Sequence, residues 1–339
     1  MSVELAPTPK DTILSEGTAR LYRFRRPDTR PVGTGRRPVL VVPSLINRWY
    51  ILDLRAGYSV VEALNARYDT YLLDWGVPED EDRYETWDRV LKKLGRAVRK
   101  VLRETGASQV TLLGYCMGAT LSGIYTALHP NQIGAFINLA GPFDFSEGGM
   151  LSTLVDPRWF DVEAIVGAGN LAATQMQSGF TALRPTLPVG KFVNYLWKMH
   201  DEAAMDAFSA LEAWSSDNTP FPAAAYKTYI EELYQKNALV KGEHWALGRQ
   251  VRLQDITCPV LNIVASKDNI CPPPAAQGLV DNVGTDDTTV LTVPGGHVGA
   301  VVGSRASREL YPKMLDWIDA KSRPPKASPL PPSPPMAQA

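Results

Sequence analysis

Short, continuously apolar runs alternate along this chain with stretches whose apolar residues recur every three or four positions. The runs are Pro38-Val39-Leu40-Val41-Val42-Pro43, Thr70 to Asp74, Val110 to Leu113, Ile133 to Ala140, Pro259 to Ala265 and Thr288 to Val293. Runs of that length without polar alternation suit parallel strands buried on both faces. Between the second and third, Trp87, Val90, Leu91, Leu94, Val98, Val101 and Leu102 mark one face of a helix whose other face is rich in Lys and Arg. Gly106 follows as a C-cap glycine should. Val60 to Ala66, Met117 to Leu128 and about Ser304 to Ala320 read as further helices. The alternation predicts an α/β domain, a mostly parallel central sheet with helices on both faces.

The rhythm breaks in three places. Residues 1–36 are rich in Pro, Arg and Thr and read as an N-terminal extension, apart from Ala19 to Phe24, whose alternation suits an edge strand. Residues 145–248 carry many aromatics, Pro and Gly breaks and no convincing strand. Inserted after a central strand, they are expected to form a helical cap, or lid, over a site. Most of those aromatics should be core. The α/β core is therefore assigned to 37–144 and 249–320, and the Pro-, Ser- and Ala-rich residues 321–339 to a disordered tail.

Composition narrows the function classes. A net charge of -1 with no strongly basic segment argues against nucleic acid as a partner. Three cysteines, Cys116, Cys258 and Cys271, do not make a disulfide framework, and the four histidines are scattered, so neither a metal nor a cofactor is expected. No apolar run is long enough to span a bilayer and no signal-peptide pattern opens the chain, so the expected location is cytoplasmic.

The chemistry-bearing stretch is Val110 to Gly118, a buried strand running into Gly114-Tyr115-Cys116-Met117-Gly118 and then a helix. Gly-x-Cys-x-Gly at a strand-to-helix turn has the form of the nucleophile elbow of an α/β-hydrolase, with sulfur in place of the serine oxygen. A lone Cys is more often a small buried hydrophobe. The remaining chain decides between these readings. Asp268 lies just past one predicted strand and His297, in Pro294-Gly295-Gly296-His297, just past the last. Nucleophile, acid and base thus follow in the chain order of that fold, each at a strand's carboxyl end, where parallel sheets gather ligands. Asp286 and Asp287 compete for the acid role but precede a strand. Cys258, before a buried strand, suits a structural place, and Cys271, three residues from Asp268, could approach the site without reacting. The oxyanion hole is expected from the backbone N–H of Met117 and of Leu45, with Ile46 as the alternative to Leu45.

From about Thr12 to Ile318 these residues resemble the polyhydroxyalkanoate synthases, and within them the catalytic PhaC subunit of the two-component class III enzymes. The resemblance rests on Leu21-Tyr22-Arg23-Phe24, Asn47-Arg48-Trp49-Tyr50 with Asp53, Leu73-Asp74-Trp75-Gly76, Leu113 to Gly118, Asp255 to Asn262 and Pro294 to Gly299. It implies polymerisation of an (R)-3-hydroxyacyl-CoA, typically 3-hydroxybutyryl-CoA, into a polyester with release of CoA. Carried over, Cys116 is the acylated nucleophile, His297 its base, and Asp268 the third member, which could also help activate the 3-hydroxyl. The family further implies a lid, a homodimer or a hetero-oligomer with a PhaE-like helical subunit, and attachment to a polymer granule. One departure stands out: family members commonly carry His after the catalytic Asp, whereas here Asn269 follows Asp268. The competing expectations are a thioesterase or depolymerase of the same fold, and a non-catalytic granule-associated protein.

Overall fold

The structure, a computed structural model, describes residues 4–26, 37–182 and 201–322. The expected tail beyond 322, and Phe192, Tyr195 and Trp197 of the aromatic stretch, lie outside the described residues.

Eight strands form the central sheet: β1 (Lys10–Glu16), β2 (Ala19–Phe24), β3 (Val39–Val42), β4 (Thr70–Asp74), β5 (Val110–Tyr115), β6 (Ile133–Leu139), β7 (Val260–Ala265) and β8 (Thr288–Val293). Their spatial order is β1-β2-β4-β3-β5-β6-β7-β8. The β1/β2 and β2/β4 pairs are antiparallel and all pairs from β4 to β8 parallel. Every residue of β3 to β7 is buried, as their largely apolar sequences lead one to expect. The stretch read as an extension therefore supplies two strands of the sheet. Lys10 to Glu16 is half-buried, with Lys, Asp, Thr, Ser and Glu among its seven residues, so an edge position leaves almost no hydrophobic signal.

The helices are α1 (Val60–Asn65), α2 (Trp87–Thr105) and α3 (Met117–Leu128), then α4 (Met150–Leu154), α5 (Val162–Val166), α6 (Ala173–Ala182), α7 (Glu202–Ser216) and α8 (Ala223–Thr228), and finally α9 (Pro273–Val280), α10 (Gly299–Val302) and α11 (Tyr311–Ser322). Helix α2 starts where the Thr86 side chain accepts from the Arg89 N–H and stops where Gly106 turns left-handed (φ 68°). Its buried stripe is the one that the spacing predicts, with Leu102 at the margin. Helices α4 to α8 lie between neighbouring strands β6 and β7, and a π-helical turn, Tyr229–Gln235, continues α8. The expected helix at 304–320 is divided: residues Ala306–Leu310 are π-helical, and α11 follows. Among the described residues no helix is long and apolar enough to cross a membrane, and no group of three or more His, Cys, Asp and Glu side chains could hold a metal ion.

His244, near the end of the insertion, is buried with neither ring nitrogen hydrogen-bonded among the described residues. Burial pulls its pKa below 6.5, against the opposing charges of Glu232 and Asp88. The unfolded chain therefore binds this proton first, and the stability it withholds is intact above pH ~6.5 and lost as pH falls below that value. Thermal unfolding between pH 7 and 5 should show a falling midpoint, and His244→Leu should flatten that slope. An unchanged slope in the variant would place the proton uptake elsewhere.

Candidate active site

The end of β5 shows why the turn needs its glycines. Cys116 has φ 55° and ψ -129°, a conformation that few residues with a Cβ adopt. Its N–H donates to the Leu139 carbonyl (3.0 Å), and its own carbonyl accepts from the Ala119 N–H (2.9 Å), which holds the strained turn. A Cβ on Gly114 would stand 2.3 Å from the Ala119 Cα, and one on Gly118 2.2 Å from the Val42 carbonyl oxygen. Helix α3 consequently packs directly on β3 and β5, and its N-terminus lies at the thiol, where a helix end favours negative charge. Below the turn, buried Asn138 clamps Gly141 through both of its side-chain groups (2.9 and 3.0 Å) and donates to Asn262 on β7 (2.8 Å).

Asp268 and His297 are brought together by an extension of the β7/β8 ladder. The Ser266 N–H donates to the Val293 carbonyl and the Lys267 N–H to the Gly295 carbonyl, both at 2.9 Å. Gly295 has φ 132°, open to glycine and rarely to other residues, so the chain turns here and presents His297 back toward the sheet. His297 Nδ1 and Asp268 Oδ2 are 2.7 Å apart. Asp268 Oδ1 accepts from the N–H groups of Ile270 (2.8 Å) and Cys271 (2.9 Å). Asn269, on the same turn, is exposed. Asp286 and Asp287 stay away from this site; Asp287 pairs with Lys321.

His297 Nε2 is buried and has no hydrogen-bond partner among the described residues. Burial alone would lower the imidazole pKa, but the charges of Cys116 and Asp268 and the hydrogen bond to Asp268 outweigh it, and the group is pushed up to about 10. A sulfur–imidazole pair backed by a carboxylate can take up and return a proton at Nε2 while sulfur attacks an acyl carbon. All three residues are almost covered, with exposures of 9% for Cys116, 8% for His297 and 4% for Asp268.

Met117 opens α3, so its N–H has no intrahelical acceptor. Leu45 lies in the loop after β3, with no hydrogen bond to its N–H among the described residues, whereas the Ile46 N–H reaches the Ser44 hydroxyl at 3.5 Å. Of the two alternatives for the second donor, Leu45 is the amide left open.

Some neighbours of the site carry no local sequence signal. Tyr115 stacks on His297, ring centroids 5.3 Å apart at 30°. Tyr229 and Tyr234, five residues apart, meet edge to face at 5.4 Å. An α-helix would separate such positions widely around its axis; the π-helical turn brings them to one face. Burial pushes both phenols well up, and the charges of Cys116 and Cys271 add to the effect. Cys271 packs with Val264, Ala275 and Ala276, and Cys258 is mostly covered, its thiol pushed by burial up to about 12.

Residues 37–304 match the family model for the alpha/beta hydrolase fold. The chain is 32% identical to a poly(3-hydroxyalkanoate) polymerase subunit PhaC of Allochromatium vinosum, covering 94% of this chain and 91% of that protein. It is 31% identical to the subunit of the same name in a Synechocystis species, covering 94% and 86%. With that of Haloferax mediterranei the identity is 33%, over 94% of this chain but only 65% of the relative's length. Among solved structures, an epoxide hydrolase of Bacillus megaterium superposes with a TM-score of 0.54 at 14% identity, covering 89% of this chain and 97% of that one. Metagenome-derived lipolytic enzymes give 0.54 at 14% identity, covering 86% and 96%. At such identities the structural likeness speaks for the fold alone.

Proposed function

The chain belongs to the PhaC family of poly(3-hydroxyalkanoate) polymerase subunits, on the α/β-hydrolase fold, and from that membership we propose that it polymerises an (R)-3-hydroxyacyl-CoA, with Cys116 carrying the growing chain. The similarity over almost the whole length of PhaC subunits carries this reading. The juxtaposition of Cys116, His297 and Asp268 supplies its chemistry.

The Cys116 thiolate attacks the thioester carbonyl, and the N–H groups of Leu45 and Met117 receive the oxyanion, a contribution of roughly 3 kcal/mol per donor in acyl-transfer sites. Collapse breaks the bond to CoA sulfur, which leaves with the Nε2 proton of His297. The acyl group is now a thioester of Cys116. A 3-hydroxyl, from another monomer or from the chain end, gives its proton to His297 Nε2 and attacks that thioester. An ester forms and the Cys116 thiolate returns. The reaction involves no net oxidation or reduction and on this reading needs no cofactor beyond the CoA of the substrate.

Asp268 takes no direct part in activating the hydroxyl on this reading. Its side chain is wholly buried, Oδ1 already accepts two N–H groups, and Oδ2 faces His297. Alcohol activation falls to His297. The near-complete burial of Cys116, His297 and Asp268 keeps bulk water from the acyl-enzyme, and on this reading the insertion between β6 and β7 moves before substrate enters, as a lid would. A polyester tethered to Cys116 would hold the enzyme on a polymer granule.

The test is incubation with (R)-3-hydroxybutyryl-CoA, with and without a helical partner subunit, following both CoA and product. Polymer appearing with CoA is expected. Free 3-hydroxybutyrate as the sole product would replace polymerisation by hydrolysis, and no CoA release under any condition would leave a non-catalytic granule protein.

A further inference from the structure

The loop that carries Leu45 is tied to the insertion between β6 and β7. The Thr219 hydroxyl donates to the Leu45 carbonyl (3.1 Å) in a fully buried contact. One residue earlier, Asn218 forms an isolated antiparallel bridge with Asn47, and their side chains bond at 3.2 Å. The indole N–H of Trp214 donates to the Arg48 carbonyl (2.9 Å). Three successive ties thus pin residues 45–48 to residues 214–219, at the end of α7. The exposed Tyr50–Asp217 bond (2.7 Å) lies beyond them and adds little.

We infer that Thr219 is a positioning residue for the oxyanion hole, holding Leu45 so that its N–H faces the carbonyl attacked by Cys116. The inference rests on the acyl-transfer reading of the site. Its physical basis is that the loop before Leu45 is fixed by β3, while the peptide after it is held by the Thr219 hydroxyl. Without that donor the Leu45 carbonyl is buried and unpaired, and it must turn to find another partner. That carbonyl lies in the peptide plane of the Ile46 N–H, so the turn re-aims Ile46 directly and loosens Leu45, whose own N–H is then held from the β3 side alone. Because the donor sits on the insertion, displacement of that insertion also dismantles the hole, so thioester chemistry is confined to the closed site.

Two reactions of one thiol separate this role from general damage. Acylation of Cys116 by p-nitrophenyl butyrate passes through an oxyanion and is read as a burst of nitrophenol. Alkylation by iodoacetamide displaces iodide from carbon with no oxyanion. Thr219→Val, which keeps the shape and removes the donor, should slow the burst at least about tenfold, short of the roughly hundredfold to thousandfold loss when an oxyanion donor is removed outright. Alkylation should stay within about twofold, and Thr219→Ser should restore the burst. Should Thr219→Val fold poorly, Trp214→Phe removes a neighbouring tie and should give the same split. A burst unchanged in both variants, or both reactions slowed together, would overturn the inference, as would a wild type without any burst. A wild type that gives the burst yet releases no CoA from (R)-3-hydroxybutyryl-CoA would refute the proposed substrate and leave the role of Thr219 standing.

Discussion

Cys116→Ala should leave no covalent intermediate and reduce turnover by about a millionfold, the scale on which a serine hydrolase loses kcat with its nucleophile. Cys271→Ala should retain turnover close to that of the wild type. Both thiols are buried and near one another, so the contrast depends on their surroundings. Cys116 lies at the N-terminus of α3 and interacts with an imidazole whose protonated form it stabilises. Cys271 lies against Val264, Ala275 and Ala276, and burial, together with the charges of Asp268 and Cys116, pushes its thiol far above the ordinary value of 9. Its useful group is the backbone N–H given to Asp268, which alanine keeps. Mass spectrometry of the enzyme quenched during turnover reads the acyl group directly. An acyl group found on Cys271, or one persisting in Cys116→Ala, would mean that the nucleophile has been misassigned.

What the sequence reveals follows from the range of the interactions involved. The strands β3 to β7 and helix α2 were legible because burial acts on consecutive residues and leaves a period, whereas β8, expected to be buried on both faces, is buried only at Val293 and shows itself by its β-branched residues. The meeting of Asp268 with His297 was legible because each follows the end of a strand of the sheet. Strand β1 was not, since its polar residues pair with β2 at the margin of the sheet and need no apolar face. The meeting of Tyr229 with Tyr234 depends on a π-helical turn, and the tie from Thr219 to Leu45 joins residues 174 positions apart by one hydroxyl. Neither has a local composition that marks it. At the Asn269 departure, residue 269 is exposed, and the carboxylate of Asp268 accepts from the N–H groups of Ile270 and Cys271 and meets His297.

Asp268→Asn should lower acyl transfer by about ten-thousandfold while the protein stays folded. An asparagine side chain fits the same space, but only one of its two ends can accept hydrogen bonds. Oδ1 of Asp268 accepts from the N–H groups of Ile270 and Cys271, so the amide oxygen must take that end. The amide NH2 is then left facing His297 Nδ1, where Oδ2 now stands at 2.7 Å. Two donors cannot share that contact, so Nδ1 must become the acceptor and the ring proton moves to Nε2. A neutral imidazole protonated at Nε2 cannot accept the proton of Cys116 or of the attacking hydroxyl. The reverse amide orientation sets NH2 against two backbone N–H groups and relieves nothing. The carboxylate also helps to hold the imidazolium up to a pKa of about 10, and asparagine removes that charge, so the His297 pKa should fall in the variant. The distinguishing measurement is proton NMR of the imidazole ring: the low-field Nδ1–H resonance expected of the wild type should disappear and the ring should titrate at lower pH. A variant that keeps this resonance, or turns over within tenfold of the wild type, would reduce Asp268 to a residue that merely shapes its loop.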